Sequence, residues 1–275
     1  MMPLIVVIKI GGRMAQRPYV QAIASDVCSL IKEHKFIVVH GGGNVVTEYA
    51  ERMGVEQKFV VSPAGVRSRY TDAETLKVCQ MALRGLVNAE VVGALVGGGA
   101  NAIGLSGLDC CLVRARRRKA IISIQNGRRI VMDGGYSGKP SDVNLPLLCD
   151  LMKMSLVPVI APLGLDEESH VVNMDSDSVA SVVAAAVKAD VLLFLTDVEG
   201  VLLAGRPLPR IEFNELEEIV SSVGFGMNRK LIEAAAAIRN GVSKVIISSG
   251  KLDRPVKAAL EDGAGTVVTR GDFIE

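Results

Sequence analysis

Tryptophan is absent from this 275-residue chain, and aromatic residues together make up only 4%. Stacking platforms for single-stranded nucleic acid are therefore missing, and the core must rest on Val, Ile, Leu and Ala. Neither sign of charge is in excess: Lys and Arg number 31, Asp and Glu 30, for a net charge of +1. That balance argues against a general nucleic-acid binder, while leaving room for local patches. Histidine is scarce, and His34, His40 and His170 are too far apart to form a metal motif. Cysteine occurs at Cys28, Cys79, Cys110, Cys111 and Cys149, an odd set with no CxxC spacing. Reduced thiols in a cytoplasmic setting account for it most simply. Long hydrophobic runs are lacking too. The longest, 179–196, is broken by Lys188 and Asp190, so no membrane-spanning helix is expected. The N-terminus is apolar but short, has no basic lead and contains Lys9, unlike a signal peptide.

What is present is a hydrophobic fraction of 49% against 22% charged residues, which predicts a packed core rather than disorder. At this length the chain forms one large domain or two lobes sharing a sheet. Apolar runs at 4–8, 36–39, 157–161, 191–195 and 244–248 read as buried strands. Helical patterns cover about 18–33, 44–53, 73–96, 142–154, 178–188, 214–221, 227–239 and 255–260, and 265–268 closes the sheet. This alternation predicts an α/β fold, with a mostly parallel sheet and helices on both faces. A soft lobe boundary falls near Ser169.

Several stretches carry chemistry. Lys9-Ile10-Gly11-Gly12 closes the first apolar run. A lysine there is costly unless its charge meets an anion, and bare glycine backbone lets a ligand come close. The stretch fits a phosphate nest or a snorkelling lysine with a tight turn. His40-Gly41-Gly42-Gly43 lies between a strand and a helix, where free amides suit an anion and three adjacent glycines exceed what a turn needs. The loop-like segment 62–72, SPAGVRSRYTD, holds Arg67 and Arg69, natural clamps for a carboxylate or merely solvated surface, and Thr71-Asp72 is placed to cap the next helix. Asn126-Gly127 is a strong hairpin turn between 112–124 and 128–132. Those strands carry Arg114, Arg116, Arg117, Arg118, Lys119, Arg128 and Arg129 and no acid. This is a charged edge that resists aggregation or a dock for an acidic partner. Asp177 sits at a helix start, where the helix dipole favours a carboxylate. Thr196 to Gly200 forms a polar loop at a strand's carboxyl end, where α/β folds place ligands. Arg229 and Lys230 lie in a helix's first turn, where a cation opposes the dipole unless a phosphate is bound.

Two glycine loops, a strand-end lysine, a helix-start lysine and an Asp-rich helix entry together point to phosphoryl transfer, which is positioning plus cations and amide donors. No GxxxxGK[ST], HRD, DFG or GxGxxG pattern occurs, so P-loop, protein-kinase and dinucleotide readings fail. The ordered set Lys9–Gly12, His40–Gly43, Ser68–Asp72, Asn101–Asp109, Asn173–Asp177, Thr196–Gly200 and Gly226–Lys230 resembles the amino-acid kinase family across essentially the whole chain. Within it the chain is most similar to the N-acetylglutamate kinase branch. GGR, SPAGVRSRYTD, ARRRK and GMNRK point there to its LysZ-like members, which phosphorylate aminoadipate or glutamate carried on the small acidic protein LysW.

The resemblance implies a three-layer α/β/α sandwich, a single domain with an acceptor and carrier lobe at about 1–168 and a nucleotide lobe at about 169–275. It implies ATP as donor with Mg²⁺, an acyl phosphate product, LysW as partner, a homodimer, and neither nucleic acid nor membrane. Lys9 and Lys230 are then the cations flanking the moving phosphoryl group, and Asp177 orients them. Gly11, Gly12 and Gly43 offer amides to it. Gly42, Gly43, Arg69 and Asn173 hold the acceptor, with Arg69 on its α-carboxylate. Gly11, Gly12, Thr196, Asp197, Gly200, Val201, Gly226 and Met227 belong to the nucleotide region. Arg116, Arg117, Arg118 and Lys119 dock the carrier. No protein ligand to a metal is assigned. One departure stands out: the acetylglutamate enzymes usually read Asn-x-Asn-Ala-Asp where this chain has Asn173-Met174-Asp175-Ser176-Asp177, so Asp175 is an extra carboxylate that could meet Mg²⁺ or a lysine. The alternatives are a kinase for free N-acetyl-L-glutamate and a catalytically silent nucleotide sensor on the same fold.

Overall fold

Val6, Val7 and Ile8 have no solvent exposure, as a strand apolar on both faces requires. They belong to β1 (Ile5–Ile10), a central strand in the sheet of the computed structural model, which describes residues 3–63, 65–125, 128–224 and 226–271. From β1 the chain runs through α1 (Tyr19–Leu30), β2 (Lys35–His40) and α2 (Gly43–Arg52) to the hairpin β3 (Phe59–Val61) and β4 (Arg67–Arg69). A long helical run follows: α3 (Ala73–Cys79), a π-helical segment (Gln80–Val87) and α4 (Asn88–Gly97). Then come β5 (Ala102–Ser106), β6 (Val113–Arg117), β7 (Ala120–Gln125), β8 (Arg128–Asp133), β9 (Ser137–Val143), α5 (Leu145–Lys153), β10 (Val157–Ala161), β11 (Leu163–Leu165) and β12 (Val171–Met174). The last part holds α6 (Ser176–Ala186), β13 (Val191–Thr196), β14 (Val201–Leu203), β15 (Arg206–Leu208), β16 (Arg210–Glu212), α7 (Leu216–Ser222), α8 (Met227–Arg239), β17 (Lys244–Ser249), α9 (Pro255–Leu260) and β18 (Thr266–Thr269).

The central sheet has eight strands in the order β16-β18-β17-β13-β1-β2-β10-β5. From β17 to β5 all neighbours are parallel, while β18 runs against β17 and carries β16 parallel to itself. The mostly parallel α/β expectation therefore holds. Alternation along β1 sends Val6, Ile8 and Ile10 into one core with α1, α2, α4 and α9, and Val7 into the other with α5, α6, α7 and α8. Lys9 shares the face of Val7, towards α6. β11, β12, β9 and β6 close a small second sheet, and β7 with β8 forms a separate ribbon.

Four sequence expectations change. The segment 62–72 is not all loop, because Arg67–Arg69 pairs with β3 and both guanidiniums lie over the Phe59 ring, at 3.9 and 4.9 Å. Cation–π packing lets a charged run serve as a strand. Residues 112–124 are not one hairpin arm: β6 pairs with β9, and only β7 pairs with β8. The turn Asn126-Gly127 lies outside the described residues. Asp142 and Val143 end β9, and α5 starts later because Asn144 caps it, accepting from the Leu147 amide at 3.3 Å. The helix expected over 73–96 is π-helical in its middle. Its N-terminus is as expected, with Asp72 accepting from the Thr75 amide at 2.8 Å. By length and composition the run Ala73–Gly97 could cross a membrane, but it buries Val78, Ala82, Leu83, Val87, Val91 and Leu95 in the protein core.

Candidate active site

Three elements from distant parts of the chain meet at one carboxylate. Asp177 lies in the first turn of α6 and is 5% exposed. Lys9, also 5% exposed, reaches its Oδ1 at 2.7 Å from β1. Lys230, in the first turn of α8, donates to its Oδ2 at 2.9 Å. Helices α6 and α8 are stitched together behind them: the Ser178 hydroxyl donates to the Glu233 carboxylate at 2.6 Å, and the Ser181 hydroxyl to the Glu233 carbonyl at 3.0 Å. Burial would push the Asp177 carboxyl up, but the two ammonium groups overcome it and hold the carboxyl far below the usual carboxylate range. Burial pushes the Lys9 ammonium down; Asp177 opposes this only in part, and Lys230 adds to it. Burial likewise pushes the Glu233 carboxyl up.

The two lysines, though not Asp177 itself, line a cleft of about 290 Å³ together with Gly11, Gly12, Gly43, Thr196 and Asp197, all singled out from the sequence. Arg13, Met14 and Asn44 complete the lining and had not been assigned a role. Arg13 follows the glycine pair, and its Nη1 meets Asp197 Oδ2 at 3.2 Å. The Asn44 Oδ1 is buried and without a hydrogen-bond partner among the described residues. A side chain at 12 would crowd that oxygen, since a Cβ there would lie 2.5 Å from it and Asn44 would have to move. A larger groove of about 590 Å³ runs between α1 and α4 past Ser25, Cys28, Gly93 and Gly97. Its lining contains one cation, Arg17, and no carboxylate, so size alone does not make it a site.

The remaining candidates fall around the cleft in different ways. The Gly11 amide, expected to face a phosphate, donates instead to the Leu195 carbonyl at 2.9 Å, so Gly11 contributes its missing side chain rather than a donor. Gly42 backs onto the helical run: a Cβ there would meet Leu83 Cδ2 at 2.7 Å and Val87 Cγ2 at 3.0 Å. Arg69 Nη2 donates to the Gly43 carbonyl at 2.7 Å and to the Thr47 hydroxyl at 2.8 Å, while Nη1 donates to Gln57. Asn173 donates to the Thr71 hydroxyl at 3.2 Å. Gly200 and Val201 do not line the cleft. Gly200 packs on Thr266, and buried Val201 donates its amide to the Thr266 hydroxyl at 2.8 Å. Gly226, at φ +85°, caps α8, and Met227 begins it, so both set the helix end that presents Lys230. Below the second glycine loop, buried His40 donates from Nδ1 to the Gly41 carbonyl at 2.8 Å and accepts at Nε2 from Asn88 at 3.0 Å. Burial takes its pKa down to about 4, so it is neutral at physiological pH.

The basic stretch is less uniform than its sequence. Arg116 and Lys119 are 80% and 85% exposed, but Glu167 and Glu168 approach them at 4.0 and 3.6 Å. Arg117 turns inward, donating to the Gly135 carbonyl at 2.7 Å and stacking on Tyr136 at 4.6 Å. Arg118 is exposed. Among the described residues Asp175 forms no ion pair with a lysine; it pairs with Arg229 at 2.5 Å. Among the described residues no group of three or more His, Cys, Asp or Glu side chains could hold a metal.

A family model described as the amino acid kinase family matches residues 4–249. A protein of Saccharolobus islandicus named LysW-aminoadipate/LysW-glutamate kinase is 45% identical over 97% of this chain and 100% of its own length. A protein of the same name from Saccharolobus solfataricus is 42% identical over the same shares. Among solved structures, N-acetylglutamate synthase from Neisseria gonorrhoeae superposes with a TM-score of 0.82 at 22% identity. The match covers 99% of this chain and 61% of the synthase, so this chain spans about three-fifths of that protein. Carbamate kinase from Giardia lamblia gives a TM-score of 0.69 at 17% identity, over 98% of this chain and 99% of its own. At those identities the two structures speak to the fold alone. With an ordered glycine-walled cleft, two lysines on one aspartate and a family match across most of its length, the chain belongs to the amino acid kinase family.

Proposed function

We propose that this protein transfers the γ-phosphoryl group of ATP to the side-chain carboxylate of aminoadipate or glutamate carried on LysW, giving an acyl phosphate. The observation that carries the reading is that two lysines lining a glycine-walled cleft, Lys9 and Lys230, are bridged by one carboxylate, Asp177. Relatives bearing that activity in their names, matched over nearly the whole chain, support it. The acceptor carboxylate is already ionised at neutral pH and needs no general base. Lys9 and Lys230 stabilise the charge that spreads over the equatorial oxygens, and Asp177 holds both ammoniums in place between turnovers. The acceptor half is about 1–168 and holds its ligand through Gly42, Gly43, Arg69 and Asn173. The nucleotide half is about 169–275, with Thr196, Asp197 and the α8 N-terminus around the phosphates. Gly200 and Val201 act there only through the backbone they fix. Mg²⁺, held by the nucleotide's phosphates and water as that ion prefers, would neutralise phosphate charge. This fits a site whose carboxylate is already taken by lysines.

The ribbon of β7 and β8 docks the carrier. Alongside Arg116, Arg118, Lys119, Arg128 and Arg129 it exposes Ile122, Ile130 and Val131, a mixture of charge and apolar surface that suits a protein partner rather than a small ligand. A homodimer in the cytoplasm completes the proposal; free cysteines at 28, 79, 110, 111 and 149 suit that compartment. The deciding experiment measures ADP release with carrier-linked glutamate or aminoadipate and with free N-acetyl-L-glutamate. Carrier-dependent turnover is expected. Equal turnover of the free compound would move the protein to the acetylglutamate reaction, and none with any acceptor would make it a nucleotide sensor.

A further inference from the structure

Asp175 and Arg229 are not used by the chemistry above, yet they are more tightly bound than surface residues usually are. Asp175 Oδ1 caps α6, accepting from the amides of Asp177 and Ser178, each at 3.1 Å. Its Oδ2 meets Arg229 Nη1 at 2.5 Å, with the two side chains 32% and 18% exposed. Arg229 then donates from Nη2 to the Ser68 hydroxyl at 2.7 Å. Its neighbour Asn228 donates to the Gly65 carbonyl at 3.4 Å. Ser68 lies in β4 and Gly65 in the connection before it. One guanidinium, next in the chain to Lys230, is thus bonded to the residue that starts the Asp177 helix and to the residue before Arg69.

We infer that Arg229 is a positioning residue that clasps the β3–β4 hairpin to the nucleotide half, so that Arg69 and Lys230 are held in register across the cleft. The inference rests on the proposed assignment of Arg69 to the acceptor. It also gives Asp175, the extra carboxylate of the motif, a partner and a purpose other than metal binding. The hairpin needs such a tether. Its strands are three residues each and, among the described residues, ladder only with one another, an arrangement with little stability of its own. A planar fork can hold a carboxylate and a hydroxyl at once from fixed directions; an ammonium on a flexible stem does not reproduce that geometry. Loss of the clasp should therefore weaken acceptor binding more than nucleotide binding.

The test is a double-mutant cycle on the full chain, with Arg229→Lys, Ser68→Ala and the pair, using whichever acceptor the unmodified protein turns over. Each single change should raise KM for the acceptor about tenfold, the order expected for one hydrogen bond to a charged group, while KM for ATP stays within about twofold. The pair should be no worse than Arg229→Lys alone, because both changes break one contact. Amide hydrogen exchange over 59–69, measured without ligand, should rise in all three. Multiplying effects, or a rise confined to KM for ATP, would overturn the clasp. If no acceptor is turned over, the proposed function fails, and exchange still judges the clasp: unaltered exchange over 59–69 in Ser68→Ala and Arg229→Lys overturns it.

Discussion

Two cationic regions of this molecule look alike in sequence and differ in what surrounds them. On the floor of the cleft, Lys9 and Lys230 are almost fully buried and share one carboxylate. On the ribbon side, Arg116 and Lys119 are four-fifths exposed and meet Glu167 and Glu168 only at the limit of ion-pair range. Buried charges in low dielectric interact strongly and salt reaches them poorly; exposed charges are screened within about 10 Å at ordinary ionic strength. The cleft is built to act on an anion at one fixed place. In the proposed function the ribbon side attracts an anionic carrier surface from a distance and releases it. What separates the two roles is desolvation, not the number of positive residues.

The sharpest way to break that contrast is to remove the buried cations. Lys9→Ala and Lys230→Ala should each lower kcat by about 10²–10³-fold, as loss of one preorganised electrostatic group does, with near-normal activity in either overturning the site. Asp177→Asn should lower turnover as well and, unlike changes on the ribbon, destabilise the fold. Stranding a buried charge costs about 3–5 kcal/mol, and thermal unfolding would reveal it.

A second prediction uses protons. Lys9 is held below its ordinary pKa by burial, and a bound phosphate favours its charged form. Nucleotide affinity should therefore fall as pH rises through the depressed Lys9 pKa, by up to about tenfold per pH unit above it. Calorimetry of ATP binding in two buffers of different ionisation heat should detect proton uptake there. Arginines stay charged throughout that range, so KM for the carrier should hold where nucleotide binding weakens. Parallel loss of both would erase the distinction. The smallest effect belongs to the exposed basic residues beside the ribbon. Replacing Arg116, Arg118 and Lys119 by Ala should raise KM for the carrier several-fold, with the difference from the unmodified protein largest at low salt and nearly gone at high salt. A salt-independent change would place these residues in the cleft's category instead.

The two regions also differ in how far the sequence revealed them. Lys9 is legible because a lysine inside a run of Val and Ile has few explanations, and Lys230 because a cation at a helix start opposes the dipole. Asp177 lies at the start of another helix, α6, where the dipole favours a carboxylate in any case, so only the family resemblance singled it out. Arg13 and Asn44 were missed although each directly adjoins a glycine loop; adjacency to bare backbone was the available signal. On the ribbon, local sequence misleads. Within 112–132 no acid occurs, but Glu167 and Glu168 arrive from the turn between β11 and β12, and Arg117 folds onto Tyr136. A mostly parallel sheet was legible from the alternating elements. β4 was not, because its stabilisation comes from arginines stacked on Phe59 rather than from an apolar pattern.

The π-helical segment has a consequence for which lengths of chain this fold tolerates. A π turn absorbs an additional residue without breaking the helix. Upstream of it Val78 and Cys79 are seated in the core; downstream Val91 and Leu95 are seated there too. Within it Leu83 and Val87 form the wall against Gly42. Deleting one residue between 80 and 87 would restore a regular α-helix and leave the flanking turns in phase, but it would shift the residues of the segment itself on the helix face. The wall of Leu83 and Val87 against Gly42 would then be lost. The register of the second glycine loop thus depends on a residue count in a helix that contributes no side chain to the chemistry.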